Sequence, residues 1–152
     1  MLFRSSGPVT LSGAVTQSGL VTQSGGAIAT NATHIADATL TTGSCNSTQY
    51  VGTAGVDMTL PAPTAGCDIT FVMTTAFATT NITILTAGGT DIIHGTLDVN
   101  AADVDCSSED RVSFGASAEI VGDYFTLTSN GTSWYIVGSQ GSAAGGITCD
   151  TR

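Results

Sequence analysis

The sequence contains no lysine, and its only cationic side chains are Arg4, Arg111 and Arg152. Against twelve acidic residues this leaves a formal net charge of −9. Nucleic-acid binding needs a basic patch that displaces counterions from phosphates, and three scattered arginines cannot build one. The same deficit argues against attraction to an anionic membrane surface. No run of about 18 apolar residues occurs, so no transmembrane helix is expected. Met1-Leu-Phe-Arg-Ser-Ser-Gly-Pro8 is not followed by the apolar core of a secretory signal. The protein is therefore expected to be made and kept in the cytosol, or to leave by lysis or within a particle.

The inventory for chemistry is equally thin. His34 and His94 are the only histidines. No Gly-x-Ser-x-Gly elbow, Walker sequence or dinucleotide fingerprint accompanies them. His94, between Ile92-Ile93 and Gly95, reads as an ordinary turn histidine. Neither catalytic residues nor a cofactor is expected. The densest carboxylate cluster, residues 98–110, lacks the spacing and central glycine of an EF-hand. It reads as a solvated acidic loop with no metal assigned. Arg111 beside Glu109 and Asp110 suggests local charge compensation, worth little at a surface. Cys45, Cys67, Cys106 and Cys149 are widely spaced and form no C-x-x-C pair, which argues against zinc-ribbon and thioredoxin readings. In a reducing cytosol they read as buried free thiols. Outside the cell they could form disulfides, with no pairing assignable.

What the chain has in abundance is threonine, glycine and alanine, spread over 152 residues. That length suits one domain able to bury roughly 68–70% of its unfolded surface. No segment holds a helical period over a useful length. From residue 50 onward, short alternating runs are separated by turn signals. Residues 56–60, 69–75, 81–85, 91–95, 96–99, 111–114 and 119–121 read as strands. Pro61 and Pro63 end the first of them, since proline cannot donate to a ladder. Residues 31–49 read as a connection, and residues 139–152 as a mobile tail. The pattern predicts an all-β protein, an antiparallel β-sandwich of jelly-roll type covering residues 35–152.

Residues 12–29 repeat with period six: Ser12-Gly-Ala-Val-Thr-Gln, Ser18-Gly-Leu-Val-Thr-Gln, Ser24-Gly-Gly-Ala-Ile-Ala. An even period keeps equivalent residues on one side of an extended chain. Residues 1–34 therefore read as an extended N-terminal arm that packs on another chain, with Val15, Leu20 and Val21 among its contact residues.

The most specific segment is Gly122-Asp-Tyr-Phe-Thr-Leu-Thr-Ser-Asn-Gly-Thr-Ser-Trp-Tyr-Ile-Val137. Asn130-Gly131 between two alternating runs is a strong hairpin signal. A two-residue loop would set Leu127 opposite Trp134 and Phe125 opposite Ile136, all on a core face. Tyr124 and Tyr135 would then lie diagonally adjacent on the other face. They are candidate interface residues, able to anchor a subunit contact or to stack on a sugar together with Tyr50.

This segment also carries a family resemblance. With Tyr50-Val-Gly-Thr-Ala, Val56-Asp-Met-Thr-Leu-Pro-Ala and Gly66-Cys-Asp-Ile-Thr-Phe, it resembles a domain of accessory virion proteins of tailed bacteriophages. That group includes capsid decoration (cement) proteins and head or tail fibres. The resemblance implies a homotrimeric structural protein, made in the host bacterial cytoplasm and located on the capsid surface of the virion. Its partner would be the major capsid protein, with no nucleic acid and no membrane involved. The alternative is a trimeric head or tail fibre or spike component that binds host surface glycans.

Overall fold

The computed structural model describes residues 31–89 and 92–151. The arm residues Val15, Leu20 and Val21, and the six-residue repeat around them, lie outside the described residues. The fold is an all-β sandwich of two sheets. Its strands are β1 (Ala32–His34), β2 (Ala38–Thr39), β3 (Ser47–Val51), β4 (Asp57–Thr59), β5 (Asp68–Met73) and β6 (Ile82–Leu85). They continue as β7 (Ile93–Val99), β8 (Ala102–Glu109), β9 (Arg111–Phe114), β10 (Tyr124–Ser129), β11 (Trp134–Gln140) and β12 (Ile147–Asp150). One sheet has the order β1-β3-β5-β10-β11-β7-β8 and the other β12-β9-β6-β4-β2.

The sheets are mixed rather than purely antiparallel. From β1 to β6 the chain shuttles between layers. β1, β3 and β5 lie parallel in the larger sheet, and β2, β4 and β6 lie parallel in the smaller one. Parallel neighbours need a crossover, and here each crossover passes through a strand of the opposite sheet. The second half reverts mainly to antiparallel pairing, with β10 joining β5 to β11.

Several elements differ from the sequence reading. Residues 31–49 supply three strands and a 3-10 turn at Thr42–Ser44. Ile93–Val99 form the single strand β7, where two short strands, 91–95 and 96–99, were expected. Residues 119–121 form no strand, and the C-terminal segment is pinned as β12 on β9. The acidic residues 102–109 form β8, an edge strand and not a loop. Edge strands present unpaired backbone groups, and its exposed Asp103 and Asp105 discourage pairing with another chain.

The core lies between the sheets. Phe125 sits 5.2 Å from Phe71 of its own sheet and 5.2 Å from Phe114 of the other. Aromatic pairs at such separations add to the burial term. Trp134, Leu127, Ile69, Ile82, Ile84, Leu97 and Val112 complete the same cluster.

The cysteines are all paired. Cys45 bonds to Cys67, joining the approaches to the parallel neighbours β3 and β5. Cys106 bonds to Cys149, joining β8 at the border of one sheet to β12 at the border of the other. This corrects the free-thiol reading. Tertiary folding brings the two Cα pairs to 4.8 and 5.8 Å, within bridging range. Arg111 makes a bidentate ion pair with Asp150 across β9 and β12, and its sequence neighbour Asp110 adds a smaller attraction. The hydrogen bond from Arg111 to Asp150 is the main cause of its raised pKa, and partial desolvation opposes it.

The hairpin of β10 and β11 closes two residues later than a two-residue loop would allow. Ser129 faces Trp134 and Leu127 faces Ile136. Asn130 does not adopt positive φ. Its Oδ1 accepts hydrogen bonds from the backbone N–H and the hydroxyl of Thr132 and from the N–H of Ser133. That side-chain turn leaves only Gly131, at φ +100°, in a conformation that favours glycine. A shift of two preserves the faces, so Phe125, Leu127, Trp134 and Ile136 are buried as expected.

The two-residue loop occurs elsewhere. Val99 pairs directly with Ala102, and Asn100 and Ala101 both take left-handed angles, φ 54° and 59°. This is the geometry of a type I′ turn, in which the second position favours glycine. Ala101→Gly should therefore stabilise the fold by about 0.5–1 kcal/mol. Urea unfolding of the two proteins checks this; a lower midpoint in the variant would contradict the turn assignment.

Candidate functional site

The larger sheet turns one side to the core and the other outward. Alternation sets the outward residues, and the register aligns them in rows. One row runs Thr33, Tyr50, Val72, Tyr124 and Gln140 across β1, β3, β5, β10 and β11. The next contains Thr48, Thr70 and Thr126. The Thr70 and Thr126 hydroxyls are hydrogen-bonded at 2.9 Å. Neither row contains a charged residue. The charges of this face lie outside them, with Asp68 at the start of β5, Asp98 on β7, and Asp103 and Asp105 on β8.

Tyr124 is held by the turn before it. Asp123 is fully buried. Its Oδ1 accepts from the Ser142 N–H at 2.9 Å and the Ser142 hydroxyl at 2.6 Å, while Oδ2 accepts from the Ile120 N–H at 2.8 Å. Its backbone carbonyl accepts from Met73 N–H, and Gly122 N–H donates to the Met73 carbonyl. A buried carboxylate needs such donors to offset its lost hydration. Here it fixes the start of β10 against both β5 and the segment after β11.

Tyr135 lies elsewhere on the face. Its ring centroid is 5.5 Å from that of His94 on β7, and its hydroxyl accepts from Asn130 Nδ2 at 3.2 Å. His94 is thus part of a strand and a packing partner of Tyr135, not a turn residue. Tyr135 pairs across the hairpin with Thr128, four residues from Tyr124. Four residues of strand span about 13 Å, so the two tyrosines are not neighbours. The shift of register separates them. The structure brings Tyr124 instead into one row with Tyr50 and Val72. A local signal for that row was absent, because β3 and β5 join β10 through distant parts of the chain. Val137, left over where the β10–β11 register shifts, is 60% exposed next to this surface.

The acidic segment brings Asp98 opposite Asp103 on β7 and β8. No group of three or more metal-ligating side chains suited to an ion occurs among the described residues.

Compared with protein-family models, curated proteins and solved structures, the chain matches none.

Proposed function

We propose that this protein is a structural component of a tailed-bacteriophage virion, a homotrimer that decorates the capsid and braces neighbouring major capsid subunits. The observation that carries this reading is the pair of uncharged central rows on the outer face of the larger sheet. These rows are built from threonines, tyrosines, a valine and the neutral amide Gln140. β-branched and aromatic side chains already ordered on a sheet lose little further freedom on docking. Charge depletion with aromatic enrichment is the composition of an interface centre.

The two borders of that sheet support the same reading. β8 carries exposed carboxylates and is tied down by a disulfide. β1 carries no carboxylate, borders only β3, and directly follows the segment containing the hexad repeat. An uncharged border is suited to strand addition by a neighbouring chain. Two disulfides suit an object that functions outside a reducing cytosol. The mechanism is mechanical. A standard interface buries about 1,200–2,000 Å², and its repetition over a shell resists internal pressure through many equal contacts.

The test is rebinding to particles stripped of the protein. Wild type should rebind. A variant lacking residues 1–30 should remain folded but fail to rebind. Val72→Arg, which places a charge in the middle of the face, should also fail. Rebinding of both variants at the wild-type level would overturn the proposal. Light scattering of the free protein should give the mass of three copies of the 15.2 kDa chain.

A further inference from the structure

We infer that the cleft beside Tyr124 is a binding site for a neutral saccharide, open wherever the Tyr124–Gln140 end of the outer face is not covered by a capsid contact. The cleft has a volume of about 570 Å³, within the range of small-molecule sites. Asp98, Asn100, Tyr124, Ser139, Gln140 and Ser142 line it. They come from the end of β7, the turn after it, the start of β10 and the end of β11.

The polar groups divide into two sets. One set is consumed in building the walls. Asp98 N–H donates to Ser139 Oγ at 2.8 Å. Asn100 N–H donates to the Gly141 carbonyl at 2.6 Å, and Gly141 N–H donates to the Asp98 carbonyl at 2.9 Å. Ser142 is locked to buried Asp123. The other set is free. The Asp98 carboxylate, the Asn100 and Gln140 amides and the Tyr124 hydroxyl have no protein hydrogen bond among the described residues. Donors and acceptors on a rigid wall, beside an aromatic ring, match the chemistry of a pyranose. A sugar offers hydroxyls that both donate and accept, and an apolar face that stacks on a ring. Holding these groups in place beforehand reduces the ordering cost of binding.

Charge narrows the ligand. The only charge in the cleft lining is the Asp98 carboxylate, in a chain of net charge −9. Uronates and sialylated sugars are therefore repelled and neutral sugars are favoured.

The test uses the full-length disulfide-bonded protein, labelled with ¹⁵N and titrated with maltotriose, mannotriose, chitotriose and, separately, trigalacturonate. At least one neutral trisaccharide should give saturable shifts at the amides of Asn100 and residues 139–142, with a millimolar Kd. Tyr124→Ala and Asp98→Ala should each weaken binding by about tenfold or more. Tyr135→Ala, outside the cleft on the same sheet, should not. Dispersed amide spectra of each variant establish that it is folded. Absence of saturable shifts with every neutral sugar up to about 20 mM, equal affinity in Tyr124→Ala, or preference for trigalacturonate would each overturn the inference. The titration involves no particles, so its result is separate from that of the rebinding experiment.

Discussion

Reduction of both disulfides is expected to lower the melting temperature by about 15–25 °C. The argument is one of chain entropy. Cys106 and Cys149 are 43 residues apart in sequence and Cys45 and Cys67 are 22 apart. Cross-linking loops of this length removes unfolded-state freedom worth about 4 and about 3 kcal/mol respectively, in the loop-closure account. Together these approach the whole stability of many natural domains, about 5–15 kcal/mol. The two bonds also act at different places. Cys106–Cys149 joins the two sheets at one border of the sandwich. Cys45–Cys67 holds a parallel pair whose connection runs through the opposite sheet. Calorimetry with and without reductant measures the sum, and the Cys106→Ala/Cys149→Ala and Cys45→Ala/Cys67→Ala double variants measure the parts. The first pair should cost more. A shift below about 5 °C on full reduction would contradict the entropic account. A non-reduced peptide map should contain these two linkages and no others.

Asp123→Ala is expected to destabilise the fold by about 3 kcal/mol. The substitution removes a carboxylate that accepts from Ile120 and twice from Ser142. Each donor left without a partner in a buried setting costs about 1–3 kcal/mol. Ser142 is solvent-exposed and can recover water, which keeps the estimate near the lower end of the sum. Asp123→Asn retains one acceptor oxygen and should cost about half as much. Denaturant unfolding at unchanged m-value provides the measurement. The effect should also have a spatial signature. Amide exchange should accelerate at residues 120–124 and 140–142 before the distant strands β1 and β2 respond. A loss below about 1 kcal/mol would show that water replaces the carboxylate without cost.

Much of the fold was legible wherever the controlling interactions are local. Ile69, Phe71 and Met73 alternate with Thr70 and Val72, and the first three are buried in β5. The hairpin faces were equally readable. Its register was not, because the Asn130 side chain organises a four-residue loop that an Asn-Gly pair does not announce. The period of two protected the assignment of Trp134 to the core from that error. It could not protect the proximity of Tyr124 and Tyr135, which depends on register itself. β12, Ile147–Asp150, was missed because it is only four residues long and directly follows the Gly- and Ala-rich residues 143–146, which have weak strand propensity. It forms through pairing with β9, the Arg111–Asp150 ion pair and the Cys149 disulfide.

The sequence by itself determined the all-β character, the inward and outward sides of the main strands, and the lack of a basic surface. These follow from composition and from side-chain alternation along single segments. Tertiary structure decided which strands pair, which cysteines bond, and which outward residues share a row or a cleft. Alternating strands read as antiparallel because one-sided burial is typical of hairpins. In this chain, crossovers between two sheets give β1 to β6 the same alternation with parallel partners. A pattern of period two specifies a face and leaves the neighbour unspecified. The neighbour is set by long-range pairing, and that pairing is what brings Tyr50, Val72 and Tyr124 into one row and Asp98 and Gln140 into one cleft.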